Sequence, residues 1–256
     1  MLLAIDVGNT NIVFGIFQND KLMGTFRLMT SQQRTVDEMG LMILQYFHAS
    51  KLSPDQLEAI LIASVVPPVM ETLTRALERY LGKTPLIVDE DIVPSIKYEV
   101  EGRLGADRSV ACEAAMEKYG MPLIVIDLGT ATTTDAISET GVYMGGTIQA
   151  GLNITTAALS QKAAKLPSIE LKKPNTVLGL NTVEQMQSGC MYAYLGGVDY
   201  LLRQTKKEMG YGDGVKVVAT GGLAPIIAEH TNMIDIVDHQ LILDGLRILY
   251  EKYQKQ

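Results

Sequence analysis

Apolar and polar positions switch between two spacings along this chain, and the switches mark its elements. Residues 2–7, 11–17 and 21–28 are short β-prone runs parted by Gly8-Asn9-Thr10 and by Asn19-Asp20. They predict an antiparallel three-stranded meander. Then the spacing turns helical. Met39, Ile43, Tyr46 and Phe47 form an apolar stripe behind the capping box Thr35-x-x-Glu38. Ala59 to Val65 is continuously apolar, the mark of a buried parallel strand, and Pro67-Pro68 ends it. A helix over 69–81 closes at Gly82, and Leu86 to Val88 is another short strand. The order is β-β-β-α-β-α-β. Residues 89–102 read as loop, and Gly102 to Arg108 opens an Ala-rich helix that runs to Tyr119.

The pattern then repeats. Strands are predicted over 123–127, 131–138 and 142–149, with Glu139-Thr140-Gly141 as a hairpin turn. A helix over 153–163 and a loop over 166–178 follow. Asn181 caps a long helix to Met209, with Glu184 at the capping-box position. Gly196-Gly197 inside that helix predicts a close helix–helix approach or a kink. A strand at 216–219, a turn at Thr220-Gly221-Gly222, a helix at 223–229, a strand at 234–237 and a helix at 241–253 complete the chain. The domains predicted are 1–120 and 121–256, parted at Met121-Pro122.

Composition narrows the class. At 256 residues the chain can bury a sizeable core, built on Ile, Leu, Val and Met because Trp is absent and Phe scarce. A net charge of −7 argues against nucleic acid as the main partner. No apolar run reaches membrane-spanning length, and the apolar start is ended by Asp6 without a basic stretch before it, unlike a signal peptide. Cys112 and Cys190 fall in helical stretches and read as buried small hydrophobes, which predicts a reducing, cytoplasmic setting. His48, His230 and His239 show no ligand spacing.

The chemistry concentrates in a turn that occurs twice. Ile5-Asp6-Val7-Gly8-Asn9-Thr10 and Ile126-Asp127-Leu128-Gly129-Thr130 each join two strands through Asp-x-Gly. An acid beside bare backbone N–H groups suits a phosphate bridged by a metal cation; a lone acidic hairpin tip would be the plainer reading. Two copies, 121 positions apart and heading two halves, favour a nucleotide site between related domains. There is no Gly-x-x-x-x-Gly-Lys stretch, so a P-loop is excluded. Asp107 is the candidate base, at a helix start beside Arg108 and after Gly105. A helix N-terminus and a neighbouring cation would both keep its carboxylate ionised. Arg108 could clamp a carboxylate or phosphate. On spacing alone, Asp107 and Arg108 could equally be a helix-start acid and a surface cation, and Thr182 a helix-start hydroxyl.

A repeated meander-then-α-β-α-β plan with an Asp-Gly turn at each head resembles the actin-like ATPase (ribonuclease H-like) architecture of acetate and sugar kinases. That resemblance implies an α/β fold of two similar domains, each a mixed five-stranded sheet flanked by helices, with a nucleotide cleft between them. Further stretches sharpen it to the type III pantothenate kinases: Gly105-Ala106-Asp107-Arg108, Gly145-Gly146-Thr147-Ile148, Ala164-Lys165-Leu166-Pro167, Asn181-Thr182-Val183-Glu184, Ser188-Gly189 and Gly221-Gly222. No one of these is specific, but their order from residue 6 to residue 222 is that family's.

The resemblance implies ATP-dependent phosphorylation of pantothenate to 4′-phosphopantothenate, the first step of coenzyme A biosynthesis. It implies ATP phosphates over Asp6, Val7, Gly8, Asn9, Thr10, Asn11, Ile12 and Val13, with Mg2+ or another divalent cation at Asp6, directly or through water. Thr130 would touch ATP, and Gly221 and Gly222 would receive the adenosine. Asp127 would hold a monovalent cation, K+ or NH4+. Tyr98, Gly105, Ala106, Asp107 and Arg108 would line the pantothenate site, with Asp107 as the base, and Thr182 would reach substrate across a homodimer interface. The sequence departs from the family where Ala150 stands in place of a frequent Pro, where Cys112 stands in place of a frequent Asn, and in the loop 99–104. Two rivals remain open: a kinase of the same fold with another hydroxyl substrate, and a nucleotide-binding regulator without turnover.

Overall fold

The structure, a computed structural model, describes residues 1–99 and 103–255; Gly102 and the middle of the loop 99–104 lie outside the described residues. Among the described residues the chain forms two five-stranded sheets. In chain order the elements of the first are β1 (Leu2–Val7), β2 (Asn11–Gln18), β3 (Lys21–Met29), α1 (Val36–Ala49), β4 (Ala59–Ser64), α2 (Pro67–Leu81), β5 (Leu86–Ile87) and α3 (Ala106–Tyr119). The second comprises β6 (Leu123–Leu128), β7 (Ala131–Ile137), β8 (Tyr143–Ala150), α4 (Leu152–Lys162), α5 (Thr182–Met209), β9 (Lys216–Thr220), α6 (Ala224–Ala228) and β10 (Ile236–Val237), and α7 (Leu241–Tyr253) ends the chain.

The sheet orders are β3-β2-β1-β4-β5 and β8-β7-β6-β9-β10, the same arrangement twice. In each, a meander pairs antiparallel and the next two strands add parallel. The expected mixed sheets are therefore present. β4 reads as continuous apolar sequence because Ile60, Leu61, Ile62 and Ala63 are buried on both faces.

Two compact units result: Met1–Lys118 with Gln240–Gln256, and Tyr119–His239. This differs from a split at residue 121, because α7 leaves the second unit and packs into the first. Leu243, Leu246 and Leu249 of α7 share a core cluster with Leu2, Ala4, Leu61 and Val110. Gly245 permits a close approach: a Cβ there would stand 2.4 Å from the Val110 carbonyl oxygen.

Local signals set most boundaries. Thr35 and Glu38 make the predicted capping box, and Gly82 ends α2 in the left-handed conformation at φ 65°. Pro67 and Pro68 start α2 rather than precede it, since a first-turn N–H has no intrahelical acceptor and proline loses nothing there. Asn181 caps α5 by accepting the Glu184 N–H at 3.1 Å, while the Glu184 carboxylate accepts from Leu180 rather than from the cap residue. Helix α5 runs unbroken through Gly196 and Gly197. Among the described residues, apart from its chain neighbours and its own helix backbone, nothing lies within 4 Å of where a Cβ on Gly196 would be, and Gly197 meets only the Gln149 side chain at 3.8 Å. Among the described residues no other helix packs closely onto the glycine pair. Cys112 and Cys190 are both buried.

Candidate active site

In the first unit the acidic turn sits where β1 ends. Asp6 pairs with Ala63 and Val7 with Ser64 in the parallel ladder, so the turn opens at the C-terminal edge of β1 and β4, the edge where open α/β sheets bind ligands. Gly8 N–H donates to the Asn11 carbonyl at 3.0 Å, which tightens the loop. Thr30 Oγ1 donates to the Gly8 carbonyl at 2.7 Å, and Thr30 N–H donates to the Thr10 carbonyl, so the end of β3 braces the loop from behind. Asn9 and Thr10 are exposed, Asp6, Gly8, Asn11 and Val13 half-buried, and Ile12 buried. A Cβ on Gly8 would meet the Asn11 carbonyl at 3.2 Å, so a side chain would crowd the turn.

Asp107 comes to the same edge. Val65, just after β4, donates its N–H to the Val7 carbonyl at 3.1 Å. A Cβ on Gly105 would stand 3.5 Å from Val65 Cγ1 and 3.0 Å from Asp107 Oδ1. The start of α3 therefore lies near Val65, which is bonded to the end of β1. Asp107 Oδ1 accepts the Arg108 N–H at 2.8 Å. Ser109 fastens the same turn, its N–H to the Gly105 carbonyl and its hydroxyl to the Ala106 carbonyl. Burial raises the Asp107 carboxyl above the ordinary aspartate value, against the Arg108 N–H and the Arg108 charge, which pull it down. The sequence predicts the reverse, a helix start and a cation holding the acid ionised. Desolvation of this half-buried acid outweighs both here.

Tyr98 is half-buried and lies against the Leu104 backbone, beside the same stretch. Burial pushes its phenol upward, only partly relieved by that backbone contact. Asp6, Gly8, Tyr98, Gly105, Asp107 and Arg108 thus belong to one unit.

The second unit holds the others. Asp127, next to last in β6, lies opposite Thr220 of β9. Two glycines crowd its carboxylate: a Cβ on Gly129 would lie 3.3 Å from Oδ1, and one on Gly221 only 2.3 Å away. Gly221 has φ +91°, which a side chain strains to adopt, and its Cβ would also meet Leu128 C and N at 2.7 and 2.8 Å. Gly222 is exposed and faces open space. Gly151 donates its N–H to the Thr130 carbonyl at 3.1 Å. A Cβ there would collide with the Gly129 and Thr130 carbonyls at 2.4 Å, so Gly151 shapes the turn as much as Gly129 does.

Thr132 Oγ1 and Tyr194 Oη are hydrogen-bonded beneath this turn. Burial raises the Tyr194 phenol, the Thr132 bond lowers it, and the Asp127 charge raises it. Nothing in the sequence singles out Tyr194, since a tyrosine on the apolar stripe of α5 reads as core. Thr182 is exposed at the start of α5. It lines a cavity of about 600 Å³ with Gln149, Thr155, Leu159, Gln185 and Cys190, and among the described residues no charged side chain lines it.

The donor sets can be weighed for cations. Among the described residues no three His, Cys, Asp or Glu side chains converge as a metal cage. Mg2+ is commonly held by one or two carboxylates with substrate phosphates and water, and Asp6 beside a bare-backbone loop fits that use. Asp127, crowded by glycine backbone, fits an ion bound by oxygen atoms.

Known proteins resemble this arrangement. The solved structure of a protein described as a "conserved putative Baf family transcriptional activator" from Campylobacter jejuni matches with TM-score 0.62 at 20% identity, covering 99% of this chain and 100% of that one. The ethanolamine utilization protein EutJ from Carboxydothermus hydrogenoformans matches at 0.55 and 14%, covering 96% and 89%. The activator of 2-hydroxyisocaproyl-CoA dehydratase from Clostridium difficile, solved with bound ADPNP, matches at 0.52 and 10%, covering 99% and 96%. At such identities these likenesses establish the fold, which is the actin-like and sugar kinase architecture. The family model of the type III pantothenate kinases matches residues 2–204, most of the chain. With the paired acidic turns and the Gly105–Arg108 helix start in place, the chain belongs to the type III pantothenate kinase family and is a kinase.

Proposed function

We propose that this kinase transfers the γ-phosphoryl group of ATP to the terminal hydroxyl of pantothenate. The observation that carries the reading is Asp107: a desolvated carboxylate of raised basicity at a helix start near Val65, which is bonded to the end of the strand that carries Asp6. The Gly8–Asn11 loop cradles the phosphates. Asp107 orients the substrate hydroxyl and accepts its proton as the oxygen bonds to the γ-phosphorus and the bond to the bridging oxygen breaks, releasing ADP. Arg108, at the same helix start, pairs with the acceptor carboxylate, and Tyr98 closes over the acceptor. A divalent cation at Asp6, when bound, neutralises charge on the transferring phosphate. Asp127 holds a monovalent cation, Thr130 contacts ATP, and the adenosine rests on Gly221-Gly222.

We also read the chain as a cytoplasmic homodimer in which Thr182 meets the partner's substrate. What supports this is the apolar surface around the start of α5, where Leu178 and Leu180 are 83% and 92% exposed, and the open face at Gly196. Among the described residues no helix is long and apolar enough to cross a membrane.

The test is formation of phosphopantothenate by the purified protein from ATP, Mg2+ and pantothenate, with and without K+. Turnover on another alcohol in a substrate panel, and none on pantothenate, would overturn the substrate. ATP binding without turnover on any alcohol would favour the regulator. Sedimentation reads the dimer.

A further inference from the structure

The helix that carries Asp107 also holds a second acid, about one and a half turns further on, that no proposed step employs. Glu113 is 1% exposed and sits among Ala111, Cys112, Ala114 and Ala115, all buried. A carboxylate at that depth is costly unless every lone pair is occupied. It is well occupied. It accepts the Ser95 N–H at 2.8 Å, the Ser95 hydroxyl at 2.8 and 2.9 Å, and the Lys252 ammonium at 2.9 Å. An apolar side chain of similar volume would serve packing as well or better, so the acid's use lies in what it ties together.

The geometry points to Glu113 as a positioning residue that fastens the Tyr98 segment to the Asp107 helix, with Lys252 of α7 as its splint. In residues 92–98, Ile92 and Ile96 are buried, and Ser95 beside them is turned to Glu113. Ser95 precedes Tyr98 by three residues, and Glu113 follows Asp107 by six on one unbroken helix, about 9 Å of rise. The tie therefore sets the spacing between the residue that covers the acceptor and the residue that takes its proton. Helix α7 holds the far side. Lys252 also pairs with Glu117 at 2.8 Å, Lys118 bonds Asp244, and Gly245 seats α7 against Val110. The kinetic part of this inference rests on the proposed roles of Tyr98 and Asp107; the structural tie does not.

The test uses the full chain with Glu113→Gln, which sets an amide N–H2 among donors, Lys252→Met, and Lys252→Arg, which restores a cation. Amide hydrogen exchange is followed in segments 92–98 and 106–119. Loss of one bond to a charged acceptor is expected to speed exchange in 92–98 roughly ten-fold, with 106–119 still protected and Lys252→Arg near wild type. Unchanged exchange in 92–98, or equal loss in both segments, would overturn the tie or reduce it to general stability. In parallel, KM for pantothenate should rise several-fold in Glu113→Gln while KM for ATP holds. A parallel rise in both would overturn the positioning role. A wild-type protein inert toward pantothenate would sink the substrate reading, while the exchange result would still decide the tie.

Discussion

Two adjacent glycines, alike in sequence, are predicted to respond in opposite ways to one methyl group. At Gly221 the backbone holds φ +91°, and a Cβ would stand 2.3 Å from Asp127 Oδ1 and 2.7 and 2.8 Å from Leu128 C and N. The left-handed conformation costs an L-residue about 1–2 kcal/mol. Overlap with Leu128 backbone cannot be relieved by a rotamer change, so the β6–β9 edge must shift, adding about 1–3 kcal/mol. Reduced freedom of the unfolded chain returns at most about 1 kcal/mol. Gly221→Ala should therefore lose about 1–5 kcal/mol, a fall in Tm of about 2–20 °C at this chain length. At Gly222 nothing lies within 4 Å of the new methyl, so Gly222→Ala should melt within about 2 °C of wild type. Thermal unfolding followed by circular dichroism compares the pair. If the two variants melt together, the crowding argument at Asp127 is refuted. The kinetic prediction runs the other way: Gly222→Ala keeps the fold but puts a methyl where the adenosine would lie, and KM for ATP rises.

Asp107→Asn should lower turnover about 10²- to 10⁴-fold with nucleotide binding retained in a fluorescence titration; near-normal turnover would remove Asp107 as base. Because burial raises the folded carboxyl, the native state holds this proton to higher pH than the unfolded chain does. That contribution is fully present below the unfolded value of 3.8 and is lost as pH rises through the folded value. The Asn variant should therefore melt above wild type near neutral pH, and the gap should shrink in acid. The acidic limb of wild-type kcat/KM should likewise lie above an ordinary aspartate. Gly245→Ala gains about 1 kcal/mol of helix propensity but drives a methyl to 2.4 Å from the Val110 carbonyl, so the denaturant midpoint should fall.

Periodicity and turn chemistry carried the elements. The alternation of β-prone and helical runs, the Thr35–Glu38 box, Gly82 and Asn181 are local signals, and local sterics and capping decide such features wherever the chain goes. Asp6, Asp127 and Asp107 stand out in the sequence as candidates because each is an acid two residues from a glycine at an element boundary. Pro67-Pro68 misled by two residues because the same dipeptide can end a strand or start a helix. Gly196-Gly197 invites close packing without stating a partner, and among the described residues no other element comes within 4 Å of a Cβ on Gly196.

What required the tertiary structure was every relation between distant residues. The sequence alone determined the strand and helix order, the two acidic turns and the family. It could not say that α7, last in the chain, packs in the first unit, since sequence order does not limit which apolar face a helix meets. It read Asp107 as held ionised by its neighbours in sequence, whereas its protonation is ruled by desolvation, a property of the packing around it. It left Glu113 as one more acid in an Ala-rich helix. Only folding brings Ser95 and Lys252 from 18 residues before and 139 after to the same carboxylate.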